Sequence, residues 1–332
     1  MKQLWPSVPL SSDNGNPLDF VITWVDGEEA KHREKMRAFL SPDMAARDDV
    51  AGRARFVECG ELYACVGSIL RFASKVARRI ILVTDDQTPP LAAWLQEHFP
   101  DAQIPVFLVD HKEIFEGYEQ YLPVFNSISI ETMLWRIPGL SEHYVCMNDD
   151  FMLVREVEVS DFLPNGVPAA YTKPFPSWLV RLIGNFNGKK LTFKATMFHA
   201  ADILGKSYFE KLTHVPYTVS KTWFAENFDR LGLVRNLRHR FRDAEQVNTQ
   251  SLFYTAALSV KPPFAERVSA KGKVVFLHCG SKKKDYLVKH LQRIDHTSSV
   301  RFACFNDVFL LSPSDLQVYE AWVRGKICNF TI

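Results

Sequence analysis

The chain has no Cys-x-x-Cys pair. Its six cysteines, Cys59, Cys65, Cys146, Cys279, Cys304 and Cys328, are scattered over 332 residues. That spacing argues against a structural zinc site. Cys146 and Cys304 lie inside apolar runs, where a free thiol serves as a small hydrophobe, and the set points to a reducing compartment. No stretch of about 18 apolar residues exists, so no segment reads as a membrane span. The N-terminal MKQLWPSVPLSSDNGNPLDF lacks the apolar core of a secretory signal. An excess of one charge is missing too. The 40 Lys and Arg face 38 Asp and Glu, and a net charge of +2 gives little steering toward nucleic acid. The expectation is a cytoplasmic protein, soluble or peripheral to a membrane.

Aromatic residues are plentiful, at 13% with 25 Phe, and 47% of residues are hydrophobic, enough for one large core or two small ones. Residues 1–17 are rich in Ser, Pro, Asn and Gly and read as a tail. DFVITWV, RRIILVTDD, IPVFLVDH and HYVCMNDD are short apolar runs that end in acids or turn residues, and they read as buried strands. Between them, EEAKHREKMRAFL, ELYACVGSILRFA, QTPPLAAWLQEHF and SISIETMLWRI read as helices, and ARDDVAGRARF as a loop. Such alternation predicts an α/β fold with a mainly parallel, Rossmann-like sheet and crossover helices. The second half reads as irregular around FLPNGVPAAYTKPFPSW and then α-rich. KVVFLHCG and RFACFNDVFLL return as strands before a C-terminal helix capped by Ser312 or Ser314.

HYVCMNDDFMLVR places Asn148, Asp149 and Asp150 between apolar residues. Adjacent buried carboxylates are costly unless they reach water or a cation. In parallel sheets, ligands bind beyond the carboxyl ends of strands, where Asp26, Asp85, Asp86, Asp110, His111 and Asn148–Asp150 all fall. A strand-end Asp also caps the turn that follows, so each position keeps that alternative.

DFVITWVDG (19–27), residues 61–89, VDHKEIF (109–115), residues 122–153, HVPYTVSK (214–221) and FACFNDVF (302–309) together resemble the Stealth family. That family includes bacterial capsular polysaccharide phosphotransferases and the catalytic part of eukaryotic GlcNAc-1-phosphotransferase. The resemblance implies a glycosyltransferase-A-like fold. It implies one catalytic domain over 18–332, with a nucleotide-sugar half at 18–160, an α-rich acceptor and catalytic insert at 161–270, and return strands with a final helix at 271–332. The implied reaction moves a hexose-1-phosphate, such as an N-acetylhexosamine-1-phosphate, from a UDP-sugar to a glycan hydroxyl. UMP is released and a phosphodiester of a capsular or cell-surface polysaccharide forms. The implied partners are the UDP-sugar donor, the polysaccharide acceptor and capsule export machinery at the inner face of the bacterial cytoplasmic membrane.

A diphosphate donor needs its charge neutralised, and Mg²⁺ or Mn²⁺ on hard oxygen ligands is the usual device. The family's Asn-Asp-Asp falls on Asn148, Asp149 and Asp150. The expected metal ligands are Asp149, Asp150 and Asp307, with Asn306 beside them. Thr23, Trp24, Asp26 and Gly27 match the opening motif and are expected at the base and ribose. Trp24 suits a core position as well. Asn126 and Ser127 begin a helix whose amides could face an anion, or they simply cap it. His214, in the family's His-x-Pro, is the expected base for the acceptor hydroxyl, the alternative being a loop histidine bonded to backbone. Of Arg238, Arg240 and Arg242, the last best matches the family's functional arginine. Two other readings stay open. One is an ordinary metal-dependent glycosyltransferase releasing UDP. The other is a polyanion-binding module built on LVRNLRHRFR.

Overall fold

The computed structural model describes residues 1–6, 15–42, 59–180, 182, 192–281 and 283–328. The strands are β1 (Lys2–Trp5), β2 (Leu18–Thr23), β3 (Ala77–Thr84), β4 (Val106–Asp110), β5 (His143–Asn148), β6 (Phe151–Leu153), β7 (Ala169–Ala170), β8 (Thr172–Pro176), β9 (Tyr208–Leu212), β10 (Tyr217–Ser220), β11 (Glu266–Arg267), β12 (Val274–His278) and β13 (Phe302–Asn306). The main sheet runs β1-β4-β3-β2-β5-β10. Its inner strands are parallel, and both edges are antiparallel.

Successive residues of the inner strands alternate between two apolar layers, as the pleat requires. Phe20, Ile22, Val145 and Met147 pack on one face, and Val21, Ile81, Val83 and Cys146 on the other. The helix Glu61–Phe72 closes the first face with Leu62, Cys65, Val66, Ile69 and Leu70, the helical spacing predicted from sequence. A Cβ on its Gly67 would stand 2.7 Å from Ile327, so glycine lets the C-terminal helix Pro313–Ile327 approach. Ser312 caps that helix by accepting from the Asp315 N–H.

The order 4-3-2-5 makes the chain step outward from β2 through β3 and β4 and then return to place β5 on the other side. The reversal between β2 and β5 is a topological switch point, where α/β sheets open a crevice. After β5 the chain turns through Asp149 and Asp150 alone and enters β6 of a second sheet, ordered β12-β13-β6. The acids therefore sit at the seam of two sheets.

Several expectations change. Residues 1–17 are not all tail, because Lys2–Trp5 pairs with β4 and Trp5 is buried. The predicted helix over 127–137 ends at Glu131, with a 3-10 turn at Leu134–Arg136. The insert 161–270 is not simply α-rich, since it holds β7 to β11. Pro174 and Pro176 hide the strand pattern of β8, but that strand pairs only with β9, and an edge tolerates proline. The loop read over 46–56 lies outside the described residues.

Candidate active site

The register pairs Thr23 of β2 with Asn148 of β5 at the switch point. A cleft of about 390 Å³ opens there. Ten residues named from sequence line it: Thr23, Trp24, Asn126, Ser127, Asn148, Asp149, Asp150, Arg242, Asn306 and Asp307. Trp24 serves both purposes, lining the cleft while only 6% exposed in the core.

Asp150 is held by the second sheet. Its carbonyl accepts the Phe305 N–H at 2.9 Å, and its Oδ2 accepts the Cys304 thiol at 3.3 Å. Oδ1 is buried and has no hydrogen-bond donor among the described residues. Burial pushes this carboxyl up to about 6; the Cys304 hydrogen bond opposes that rise and the nearby Asp307 charge adds to it. Asp307 adopts a left-handed backbone (φ 62°), and its Oδ2 lies 3.1 Å from His278 Nδ1.

The Ser127–Glu131 helix and the segment after Leu237 also contribute to the cleft, through Asn126, Ser127, Ile130 and Arg242. Asn126 caps the helix through the Ser129 N–H and also donates to the His239 carbonyl. Gln246 donates to Asn126 and Ser129, tying the two segments together. The Asn126 side chain is therefore engaged in this scaffold. Glu131 is buried, which raises its pKa against the hydrogen bond from Gln250 and the charge of Arg242. Two arginines of the basic run are engaged with backbone carbonyls. Arg240 donates to the carbonyls of Gln120, Tyr121 and Pro123, and Arg235 to that of Glu245. Arg242 faces the cleft and Arg238 is exposed.

Asp26 and Gly27 do not line the cleft. The Asp26 carboxylate accepts the Glu28 N–H, and its backbone is clamped by Gln87, so this Asp shapes the turn. His214 also lies outside the lining, stacked on Phe276 at 4.3 Å. It precedes β10, which is antiparallel to β5, so tracing back from the Tyr217–Cys146 pair runs toward Asp149. Burial lowers the His214 pKa, with Lys211 adding to the effect, and the ring is neutral at pH 7. Sequence reasoning missed His32, Glu61, Phe125 and Phe309, which also line the cleft. His32 bonds Asp85 at 3.1 Å, and Lys35 reaches the same carboxylate at 3.0 Å. No motif marks His32, which sits within a polar helix of ordinary pattern.

Among the described lining residues, Glu61, Asp149, Asp150 and Asp307 are carboxylates, and Arg242 is the single guanidinium. A bound diphosphate would meet repulsion from that wall unless a cation intervened. The undonated Oδ1 of Asp150 and an all-oxygen donor set fit a hard divalent ion. The oxygens of Asp149, Asp150 and Asp307 are not gathered as a set within 4.8 Å of one another. The group that meets that spacing among the described residues is His239, Asp243 and Glu245. Asp243 there accepts the Glu245 N–H, which explains its position without a metal. Among the described residues, no helix is long and apolar enough to cross a membrane.

Residues 55–169 match Stealth protein CR2, conserved region 2. The chain is 32% identical over 314 residues to the capsular polysaccharide phosphotransferase fcs1 of Haemophilus influenzae, covering 85% of this chain and 79% of that protein. It is 30% identical over 322 residues to the exopolysaccharide phosphotransferase SCO6021 of Streptomyces coelicolor, covering 94% of this chain and 55% of that one. Among solved structures, the WbbM bifunctional glycosyltransferase superposes with a TM-score of 0.51 at 10% identity, over 92% of this chain and 51% of that chain. That likeness concerns the fold alone.

Proposed function

Because the chain belongs to the Stealth family and is a phosphotransferase, we propose that it transfers a hexose-1-phosphate from a UDP-sugar to a hydroxyl of a capsular or cell-surface glycan. The observation that carries this reading is the cleft itself. Carboxylates of the β5–β6 turn and the Arg242 guanidinium line it together.

In this mechanism Thr23 and Trp24 hold the nucleoside end at the switch point. Asp149 and Asp150, with Asp307 nearby, would hold Mg²⁺ or Mn²⁺, which supplies neutralising charge to the diphosphate. Arg242 binds the equatorial oxygens of the transferring phosphoryl group through its planar fork. Neutral His214 takes the acceptor proton as the hydroxyl oxygen attacks the phosphorus bonded to the sugar. The bond from that phosphorus to the bridging oxygen breaks, and UMP leaves. The sugar keeps its anomeric configuration, since no bond to the anomeric carbon is touched. The reaction takes place in the cytoplasm, at the inner membrane face where capsule is assembled and exported.

The test is the identity of the released nucleotide. Incubation with UDP-N-acetylhexosamine and a glycan acceptor should yield UMP and a phosphodiester visible by ³¹P NMR. Release of UDP in step with acceptor glycosylation would replace this reading with glycosyl transfer.

A further inference from the structure

Strand β12 pairs with β13, whose last residue, Asn306, lines the cleft. Residues paired across a sheet project to the same face. Phe276 pairs with Cys304, and His278 with Asn306. Cys304 bonds Asp150, and Asn306 lines the cleft. The face that carries Asp150's support and the cleft-lining Asn306 therefore carries Phe276 and His278 one strand further out. On β12 the alternation is plain: Val275 and Leu277 are buried, while Phe276 is 39% exposed and His278 is exposed beside it. An exposed phenylalanine next to an imidazole anchored on Asp307 is an unusual use of an edge strand. His214 covers one side of Phe276, with the rings 24° from parallel.

We propose that this outward face of β12 is a saccharide subsite. It takes a pyranose whose apolar C–H face lies against the Phe276–His214 pair and whose hydroxyls reach His278. Aromatic rings offer large rigid contact area at little entropy cost, and a few placed polar groups fix orientation. The His278–Asp307 contact holds the imidazole in one orientation and leaves Nε2 for a sugar hydroxyl. β12 is the strand of the second sheet farthest in order from β6, whereas Thr23 ends β2 of the main sheet, so the saccharide it holds is the acceptor rather than the donor. Naming it the acceptor rests on the phosphoryl-transfer reading; the existence of the subsite does not.

Saturation-transfer NMR on the UDP-saturated chain tests it, with the methyl glycosides of glucose, galactose, N-acetylglucosamine and N-acetylgalactosamine as probes. The expected result is saturation of ring C–H protons in at least one glycoside at millimolar affinity. Phe276→Ala should weaken that affinity at least fivefold. His278→Ala should weaken it severalfold, and Phe276→Tyr should leave it within about twofold. Since Phe276 is exposed, an unchanged thermal midpoint is expected for its variants. Phe276→Tyr guards against a collapse of the alanine variant. No saturation in the wild-type chain, or equal saturation in wild type and Phe276→Ala, would overturn the subsite. Turnover is not read, so a wrong nucleotide product would leave this result standing.

Discussion

Asp150 carries the most specific expectation at the scale of the residue. Asparagine keeps its shape and can still accept from Cys304, but it removes the charge on a buried group lining the cleft. Asp150→Asn should therefore fold normally and lose turnover by about 10²–10³-fold, comparable to removing one oxyanion donor. Circular dichroism and an initial-rate assay check both halves, and near wild-type activity at saturating Mg²⁺ would remove Asp150 from the site. For His214 the expectation differs in kind. His214→Ala should slow the chemical step by roughly 10²–10⁴-fold, the usual range for a general base, with little effect on donor binding. If single-turnover kinetics and UDP-sugar titration fell together, His214 would belong to the phosphate.

Two features at the scale of the element bear on the stability of the sheet that carries these residues. Asp19, wholly buried at the start of β2, receives Arg78 through two bonds and Arg79 through one, and its Oδ2 also accepts the Ser141 N–H. It joins the beginnings of β2, β3 and β5. Asp19→Ala would leave two guanidinium groups facing an emptied pocket, and urea denaturation should show a loss of about 3–5 kcal/mol. The second element is the end of β4. His111 is buried with neither ring nitrogen hydrogen-bonded, and burial lowers its pKa to about 4 despite the nearby Asp85 and Asp110 charges. The unfolded chain, with an ordinary histidine near 6.5, binds the proton first as pH falls. Stability is therefore full above about 6.5 and declines toward pH 4, by on the order of 3 kcal/mol. His111→Phe keeps an aromatic ring but removes the titrating group, and should flatten that decline. Urea midpoints compared at pH 7 and pH 4.5 test it, and an unaltered slope in the variant would reject this assignment.

For the molecule as a whole, the prediction concerns charge. Among the described lining residues four carboxylates face one guanidinium, a balance that repels a diphosphate unless a cation offsets it. Chelation should abolish both turnover and UDP-sugar binding, and Mg²⁺ or Mn²⁺ should restore both, because the ligands are hard oxygens. Full calorimetric binding of UDP in excess chelator would mean that Arg242 and the backbone suffice.

The inner strands and the strand-end carboxylates that line the cleft were legible in sequence for a local reason. Each inner strand is an apolar run closed by acids, and Asn148–Asp150 interrupt such a run, a pattern that needs no knowledge of neighbours. Asp26 and Asp149 look alike by that criterion. Only the switch point between β2 and β5 separates them, turning one into a loop support and the other into a cleft wall. The arginine run could be read as a surface patch until the fold spent Arg240 on carbonyls about 120 residues away in sequence. His32, His278 and Phe276 carried no signal at all. Their roles depend on pairings such as His278 with Asn306, and contacts between residues far apart in the chain are set by packing, which no local pattern encodes. Sequence alone thus determined the family, the inner strands of the main sheet with the carboxylates at their ends, and β12 and β13; tertiary structure decided the remaining strands and which of the polar residues share one cavity, because both depend on contacts between residues far apart in the chain.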